Sequence, residues 1–357
     1  MQTEPSDPPV TNTPSPALPH KRRPRYSGKN PRRFADKYKE HNPSLYPETI
    51  AKVVAAGKTP AGTHRPIMVA EILEVLNPQP GAVVVDCTLG YGGHARAILA
   101  RIQPGGRLIG LDVDPIELPK TEARLRELGF GPAVFTVHRS NFAGLPKVLV
   151  AEQLAGADLI LADLGVSSMQ LDDPGRGFSV KLTGPLDMRM NPQRGQPAAA
   201  LLERTTADKL AELLVENSDE PRADLLAAAL AGQHFATTRA LAEAIRRTLP
   251  GSVLDEEREN TIRRVFQALR IAVNEEFTAL GMFLRNLPNC LAAGGRVAIL
   301  TFHSGEDRRV KKAFEAGLAA GGYSEIANEI IRSSPEERHD NPRSSSAKLR
   351  WARKSVG

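Results

Sequence analysis

Ala82-Val83-Val84-Val85-Asp86-Cys87-Thr88-Leu89-Gly90-Tyr91-Gly92-Gly93-His94 is the stretch that decides the fold. Its unbroken apolar start reads as a short strand buried on both faces. The glycines that follow allow a tight turn and a close backbone approach to a ligand, and a helical pattern begins directly after them. Further apolar runs, Arg107–Asp112, Ala133–His138, Asp158–Asp163 and Arg296–Phe302, alternate with helical segments on either side of this corner. Upstream, Val69–Leu76 predicts a helix that stops at Asn77-Pro78. Strands separated by helices imply a parallel α/β sheet with right-handed crossovers.

The rhythm divides the chain. Residues 1–58 carry eight prolines between positions 5 and 31 and few large apolar residues, so an extension outside the folded body is expected. Within it, nine Lys or Arg lie between Lys21 and Lys39 against one acid, Asp36, a stretch able to touch RNA or simply to stay solvated. Residues 59–172 and 260–357 carry the strand–helix alternation. Between them, 173–259 reads as an all-helical insertion, with helices expected at Ala207–Val215, Ala223–Ala231 and Arg239–Thr248. A single long helix is expected over Asn260–Leu291 before the last strand.

Composition narrows the class. The 357 residues are 41% hydrophobic and 25% charged, ordinary for a globular protein. A net charge of +6 leans towards a polyanionic partner. Cys87 and Cys290 stand far apart, which points to neither a disulfide framework nor a metal site, and to a cytoplasmic setting. No apolar run approaches the roughly 18–20 residues a bilayer span needs, and the N-terminus has no apolar leader core.

Ligands of open parallel sheets bind beyond the carboxyl ends of the strands, so the residues after each apolar run carry the functional reading. Gly90, Gly92 and Ala95 satisfy a dinucleotide-type turn, yet Tyr91 and His94 would crowd a diphosphate. Asp86 could accept from a ligand ammonium, a group that adenosylmethionine has and a pyrophosphate lacks. Asp112, 20 residues beyond Gly92, is placed for ribose hydroxyls and would serve either cofactor. His138-Arg139-Ser140-Asn141-Phe142 offers polar groups and a ring where an adenine would lie. At the fourth strand, Asp163-Leu164-Gly165-Val166-Ser167-Ser168 supplies an acceptor able to turn an amine lone pair towards a methyl sulfonium. Methylation at a ring carbon would need a cysteine nucleophile, and neither cysteine is well placed for that.

These segments, with Gln170-Leu171-Asp172-Asp173, Arg176-Gly177-Phe178-Ser179, Gly184-Pro185-Leu186-Asp187-Met188-Arg189-Met190, Val273-Asn274-Glu275-Glu276, Phe302-His303-Ser304, Glu306-Asp307-Arg308 and Asn341-Pro342-Arg343, give a specific pattern. The chain resembles the bacterial ribosomal RNA small-subunit methyltransferase H family, also called the MraW family, from about Thr63 to Lys354. The resemblance implies a class I (Rossmann-like) methyltransferase sheet with an inserted helical domain for substrate recognition. It implies S-adenosylmethionine as cofactor and N4-methylation of a cytidine in the decoding region of small-subunit ribosomal RNA, with the assembled 30S particle as partner. By position, the family's cofactor contacts fall on Gly92, Gly93, His94, Asp112, Phe142, Asp163 and Gln170, with Asp163 also nearest the target amine. The chain departs from the family's usual residues at Tyr91 (glycine), Gly305 (leucine), Ser345 (a basic residue) and Ser218-Asp219-Glu220 (Gly-Glu-Glu). Two other readings remain open: a non-catalytic RNA-binding assembly factor, and a dinucleotide-dependent oxidoreductase.

Several side chains have plain structural readings as well. His94 can cap a helix; Ser304 can be an N-cap with Asp307 three residues on. Asp187 and Arg189 suit a folded turn holding the insertion to the sheet. Arg263, Arg264 and Arg270 on one helix suggest a solvated face.

Overall fold

In the computed structural model, which describes residues 66–356, the apolar runs lie side by side in one seven-stranded sheet. The basic extension and His64-Arg65 fall outside the described residues. In chain order the elements are α1 (Val69–Leu76), β1 (Val83–Asp86), α2 (Gly93–Ile102), β2 (Arg107–Asp112), α3 (Glu117–Glu127), β3 (Phe135–Arg139), α4 (Leu145–Ala151), β4 (Ala157–Asp163) and α5 (Ser168–Asp172). A helical stretch follows: α6 (Ala198–Arg204), α7 (Ala207–Ser218), α8 (Ala223–Leu230), α9 (Thr238–Thr248), α10 (Asp255–Val273) and α11 (Glu276–Cys290). The chain then returns through β5 (Leu291–Thr301), α12 (Ser304–Ala319), β6 (Tyr323–Ile326), α13 (Pro335–Asp340) and β7 (Lys348–Lys354).

The sheet order is β3-β2-β1-β4-β5-β7-β6. The first five are parallel, with Val85 opposite both Ile109 and Ile160, whereas β7 runs antiparallel between β5 and β6. This is the doubly wound α/β sheet that the sequence predicts, and its order reverses between β1 and β4, where a ligand cleft opens.

Successive side chains of a strand point to opposite faces, and each face here has its own core. Val85, Ile109, Leu111, Ile160, Ala162, Val297 and Ile299 pack on α4, α11 and α12. Val84, Leu108, Leu159, Leu161, Ala298 and Leu300 pack on α1, α2 and α3. The helical stretch closes around a third cluster, with Leu210, Leu226, Leu241 and Ile245 against Ile262, Val265 and Leu269 of α10.

Two expectations need correction. The predicted helix Asn260–Leu291 is two helices, α10 and α11, broken at Asn274-Glu275. Glu275 takes φ 51°, while the Asn274 side chain accepts from Met190 N (2.7 Å) and donates to Met188 O (2.8 Å). No glycine or proline marks the break; a side chain tied to a distant turn makes it. The sequence reading also passed over β6 and β7, because Lys348, Arg350, Arg353 and Lys354 interrupt the apolar pattern. Arg350 is nevertheless buried, paired with Asp307 of α12 at 2.7 Å.

Candidate active site

A cavity of about 1140 Å³ opens at the carboxyl ends of β1, β2, β4 and β5. That is ample for a nucleoside ligand with a second ring beside it. Gly93, His94, Asp112, Phe142, Asp163 and Gln170 all line it. Gly92 does not. It caps α2 in a left-handed conformation (φ 80°), and a Cβ there would lie 2.9 Å from Thr121 Cγ2. Its part is to shape the turn.

The glycine turn is held mainly by β2 and α3. Asp112 Oδ2 accepts from Gly90 N at 2.8 Å and Oδ1 accepts from Asp114 N at 2.9 Å. Thr121 donates its hydroxyl to Gly90 O at 2.6 Å. Tyr91 fits because the strained positions fall on its neighbours: Gly90 and Gly92 have positive φ and Tyr91 does not. The Arg124 guanidinium lies over the Tyr91 ring, 3.7 Å from its centroid. Asp86 departs from expectation. It is 1% exposed, does not line the cavity, and turns its Oδ1 back to accept from Thr88 N at 3.1 Å. Its Oδ1 thereby braces the corner from beneath the cavity wall.

A buried junction joins this corner to the helical stretch. Asp114, 1% exposed, accepts from Arg176 Nη1 (2.8 Å), from Gln170 Nε2 (2.9 Å) and from the backbone of Ile116 (2.9 Å). Arg176 in turn donates to the carbonyls of Arg189 and Met190, at 3.1 and 2.8 Å. Gln170 also completes a capping box with Ser167, so both ends of its amide serve the loop as well as the cavity wall. Asp187 and Arg189 pair with each other at 2.7 Å and form the folded turn expected of them.

The β4–β5 side differs in character. Burial, then the Glu306 charge, pushes the Asp163 carboxyl up to about 7, and its Oδ1 has no hydrogen-bond partner among the described residues. His94 donates from Nε2 to Ile67 O at 2.9 Å, and its Nδ1 stands 3.7 Å from Asp163 Oδ2. Burial holds His94 below its ordinary value, so the imidazole is neutral near pH 7. Burial alone would raise Glu306, but the His303 hydrogen bond and the Arg270 charge hold it below the usual range. One carboxyl of the pair is thereby disposed to carry a proton and the other to stay ionised. Arg270 is no solvated surface residue: it lines the cavity and grips Glu276 at 2.8 Å with both nitrogens. Burial pushes the thiols of Cys87, well up, and of Cys290, to about 11, away from nucleophilic form.

The end of β5 also corrects a reading. The cap of α12 is His303, whose ring accepts from Glu306 N at 3.4 Å, not Ser304. Ser304 and Arg308 instead hold Asp219 of the helical stretch, at 3.1 and 2.9 Å, and Asp307 holds β7. Sequence reasoning gave no role to Asp114, Arg176 or Asn274. For Asp114 a signal existed, since an Asp just before Pro115 and a helix start suits an N-terminal cap. For the other two, the partners lie 62 and 84 residues away in the chain.

Comparison with known proteins bears on this site. Residues 61–355 match the family model described as the MraW methylase family. The chain is 50% identical over 344 residues to a ribosomal RNA small subunit methyltransferase H 1 of Lachnoclostridium phytofermentans, covering 94% of this chain and 93% of that protein. It is 48% identical over 341 residues to a protein of the same name from Agathobacter rectalis, covering 93% and 97%. To a ribosomal RNA small subunit methyltransferase H of Halorhodospira halophila it is 43% identical over 274 residues, covering 75% and 82%.

Proposed function

The chain belongs to the MraW methylase family, and we propose that it transfers a methyl group from S-adenosylmethionine to the exocyclic N4 of a cytidine in the decoding region of small-subunit ribosomal RNA. The substrate is that RNA within the assembled 30S particle. The names of the full-length relatives support the class of RNA. The observation that carries the chemistry is the Asp163 carboxyl at the tip of β4, which lines the cavity partly exposed and whose Oδ1 has no hydrogen-bond partner among the described residues.

The residues fit the cofactor. Carboxyls at Asp112 and Asp163 are raised by burial to about 6 and about 7, an environment that a cationic nucleoside would relieve. Asp112 takes the ribose, Gly93 gives close backbone approach, and His94 and Gln170 close the walls. Phe142, braced on Phe283 with ring centroids 5.4 Å apart, packs the adenine. Gly92 acts through the shape of the turn. When bound, the sulfonium supplies an electrophilic methyl carbon.

The lone pair of an aryl amine is delocalised into its ring, so the protein must turn it outward. Asp163, as carboxylate, accepts an amine N–H and directs the lone pair along the line of attack. As the N–C bond replaces the methyl–sulfur bond and S-adenosylhomocysteine leaves as the thioether, Asp163 takes the amine's surplus proton, and its pKa near 7 suits a base at neutral pH. Carbon methylation would need a thiolate, and the buried Cys87 thiol is held protonated. The helical residues 173–259 grip the RNA while the base leaves its stack to reach the cavity.

Incubating the full chain with radiolabelled adenosylmethionine and unmodified 30S subunits, then digesting the RNA to nucleosides, tests this directly. The label is expected in N4-methylcytidine. Label in 5-methylcytidine, or in no nucleoside, overturns it.

A further inference from the structure

Phe277, at the start of α11, lines the cavity on the same side as Glu276, Phe302 and Glu306. Three contacts fix its ring. The Arg309 guanidinium sits over one face, 3.5 Å from the centroid. The His303 ring stands at 5.8 Å, inclined by 51°. The ring tip points at Gly305, where a Cβ would come within 2.7 Å of Cζ. Gly305 is buried and its carbonyl accepts from Arg309 Nη1 at 3.1 Å, so the backbone that makes room for the ring also anchors its cationic backing. Arg309 covers one face, His303 and Gly305 hold the ring in place, and the half-buried ring forms part of the cavity wall. Gly305 immediately precedes Glu306, which lines the same cavity as Phe277 and Asp163.

Aromatic planes backed by a cation are the side chains on which an unstacked base rests. Resting on the function proposed above, we propose that Phe277 is the stacking wall for the extruded target base, and that Gly305 is the residue that makes room for it. The ring fixes the plane of the base; Asp163 then meets the amine in that plane. Phe277 is a specificity and positioning residue for the RNA, with no part in holding the cofactor.

The test uses the full chain and four variants: Phe277→Leu, Phe277→Tyr, Gly305→Ala and the Phe277→Leu/Gly305→Ala pair. Methyl transfer to 30S subunits gives kcat and KM, and calorimetry gives the affinity for S-adenosylhomocysteine. Leucine keeps apolar bulk without a stacking plane, so Phe277→Leu is expected to lower kcat/KM for 30S roughly tenfold or more. Tyrosine keeps the plane and is expected to stay within about threefold of the parent. Gly305→Ala, which displaces the ring without touching it, is expected to cost activity on its own and little more once Phe277 is leucine. Affinity for S-adenosylhomocysteine is expected to hold within about twofold throughout, since stacking acts on the base alone. Equal activity of the Leu and Tyr variants, or a loss that tracks cofactor affinity, overturns the assignment and leaves a packing residue. A parent chain that binds S-adenosylhomocysteine yet methylates no 30S subunit overturns the proposed function itself, a result read before any variant.

Discussion

At the β1–β2 edge of the cavity, acidic side chains spend their oxygens on the protein itself. Asp112 accepts two backbone N–H groups, Asp86 accepts one, and Asp114 gathers Arg176, Gln170 and backbone donors. At the β4–β5 edge, Asp163 keeps one oxygen free of any partner among the described residues and carries a pKa near 7. Both edges have wholly or partly buried carboxyls at strand tips of one sheet. They differ in whether neighbouring donors have been supplied. Where donors are supplied, a carboxylate becomes scaffold and sets the shape of a glycine turn. Burial still raises Asp86 and Asp112 to about 6, and at Asp163, where one oxygen has no donor among the described residues, it raises the carboxyl to about 7, suited to orienting an amine or taking a proton.

Asp163→Asn gives the largest expected effect. The amide keeps the size of the side chain but cannot take a proton, so kcat on 30S subunits should fall by roughly 10²–10⁴-fold. The parent should lose kcat/KM as pH drops below about 7, because the carboxylate is the working form, and the variant's residual rate should lack that limb. The stability effect runs the other way. A carboxyl raised from 3.8 to about 7 on folding stabilises the ligand-free fold only while protonated, and that contribution is lost as pH rises through 7. The ligand-free variant should therefore melt higher than the parent at pH 8, with a smaller gain at pH 5. Retained kcat, or a lower melting temperature at pH 8, would erase the contrast between the two edges.

Arg176→Met probes the scaffold edge. It strands Asp114, 1% exposed, without its guanidinium, and should cost about 3–5 kcal/mol in denaturant unfolding. Activity should fall with stability, and unlike Asp163→Asn the pH limb near 7 should survive. A variant as stable as the parent would mean that the junction between sheet and helical stretch lies elsewhere.

Tyr91→Gly is the smallest change. The residue has ordinary backbone geometry, and its ring mainly covers Arg124, so S-adenosylhomocysteine affinity should move by less than about threefold, as expected for one partly exposed cation–π contact. A loss of tenfold or more by calorimetry would place Tyr91 among the cofactor contacts.

The five parallel strands were legible because each is an apolar run closed by a polar or glycine corner, and parallel strands buried on two faces have no other pattern to show. Six of the seven expected site residues line one cavity for the same reason: strand tips of adjacent strands converge wherever the sheet order reverses. Asp86 lies at such a tip but turns one oxygen inward to its own loop, and Gly92 takes a positive φ in the turn without lining the cavity. Legibility failed where polar residues occupy core positions. Arg350 is buried in β7 only because Asp307 meets it, and Asn274 ends a helix only because Met188 and Met190 are there to be bonded.

Local pattern and turn chemistry thus determined the five parallel strands, the glycine corner and the identity of the acids at its edge, since those follow from periodicity and from what glycine and aspartate permit nearby. Tertiary structure alone decided which acids became scaffold and which kept an idle oxygen. It likewise decided that a missing side chain at Gly305 would seat the ring of Phe277. Hydrogen-bond partners brought together from 27 to 84 residues apart set the state of a buried polar group, and no short window of sequence contains both members of such a pair.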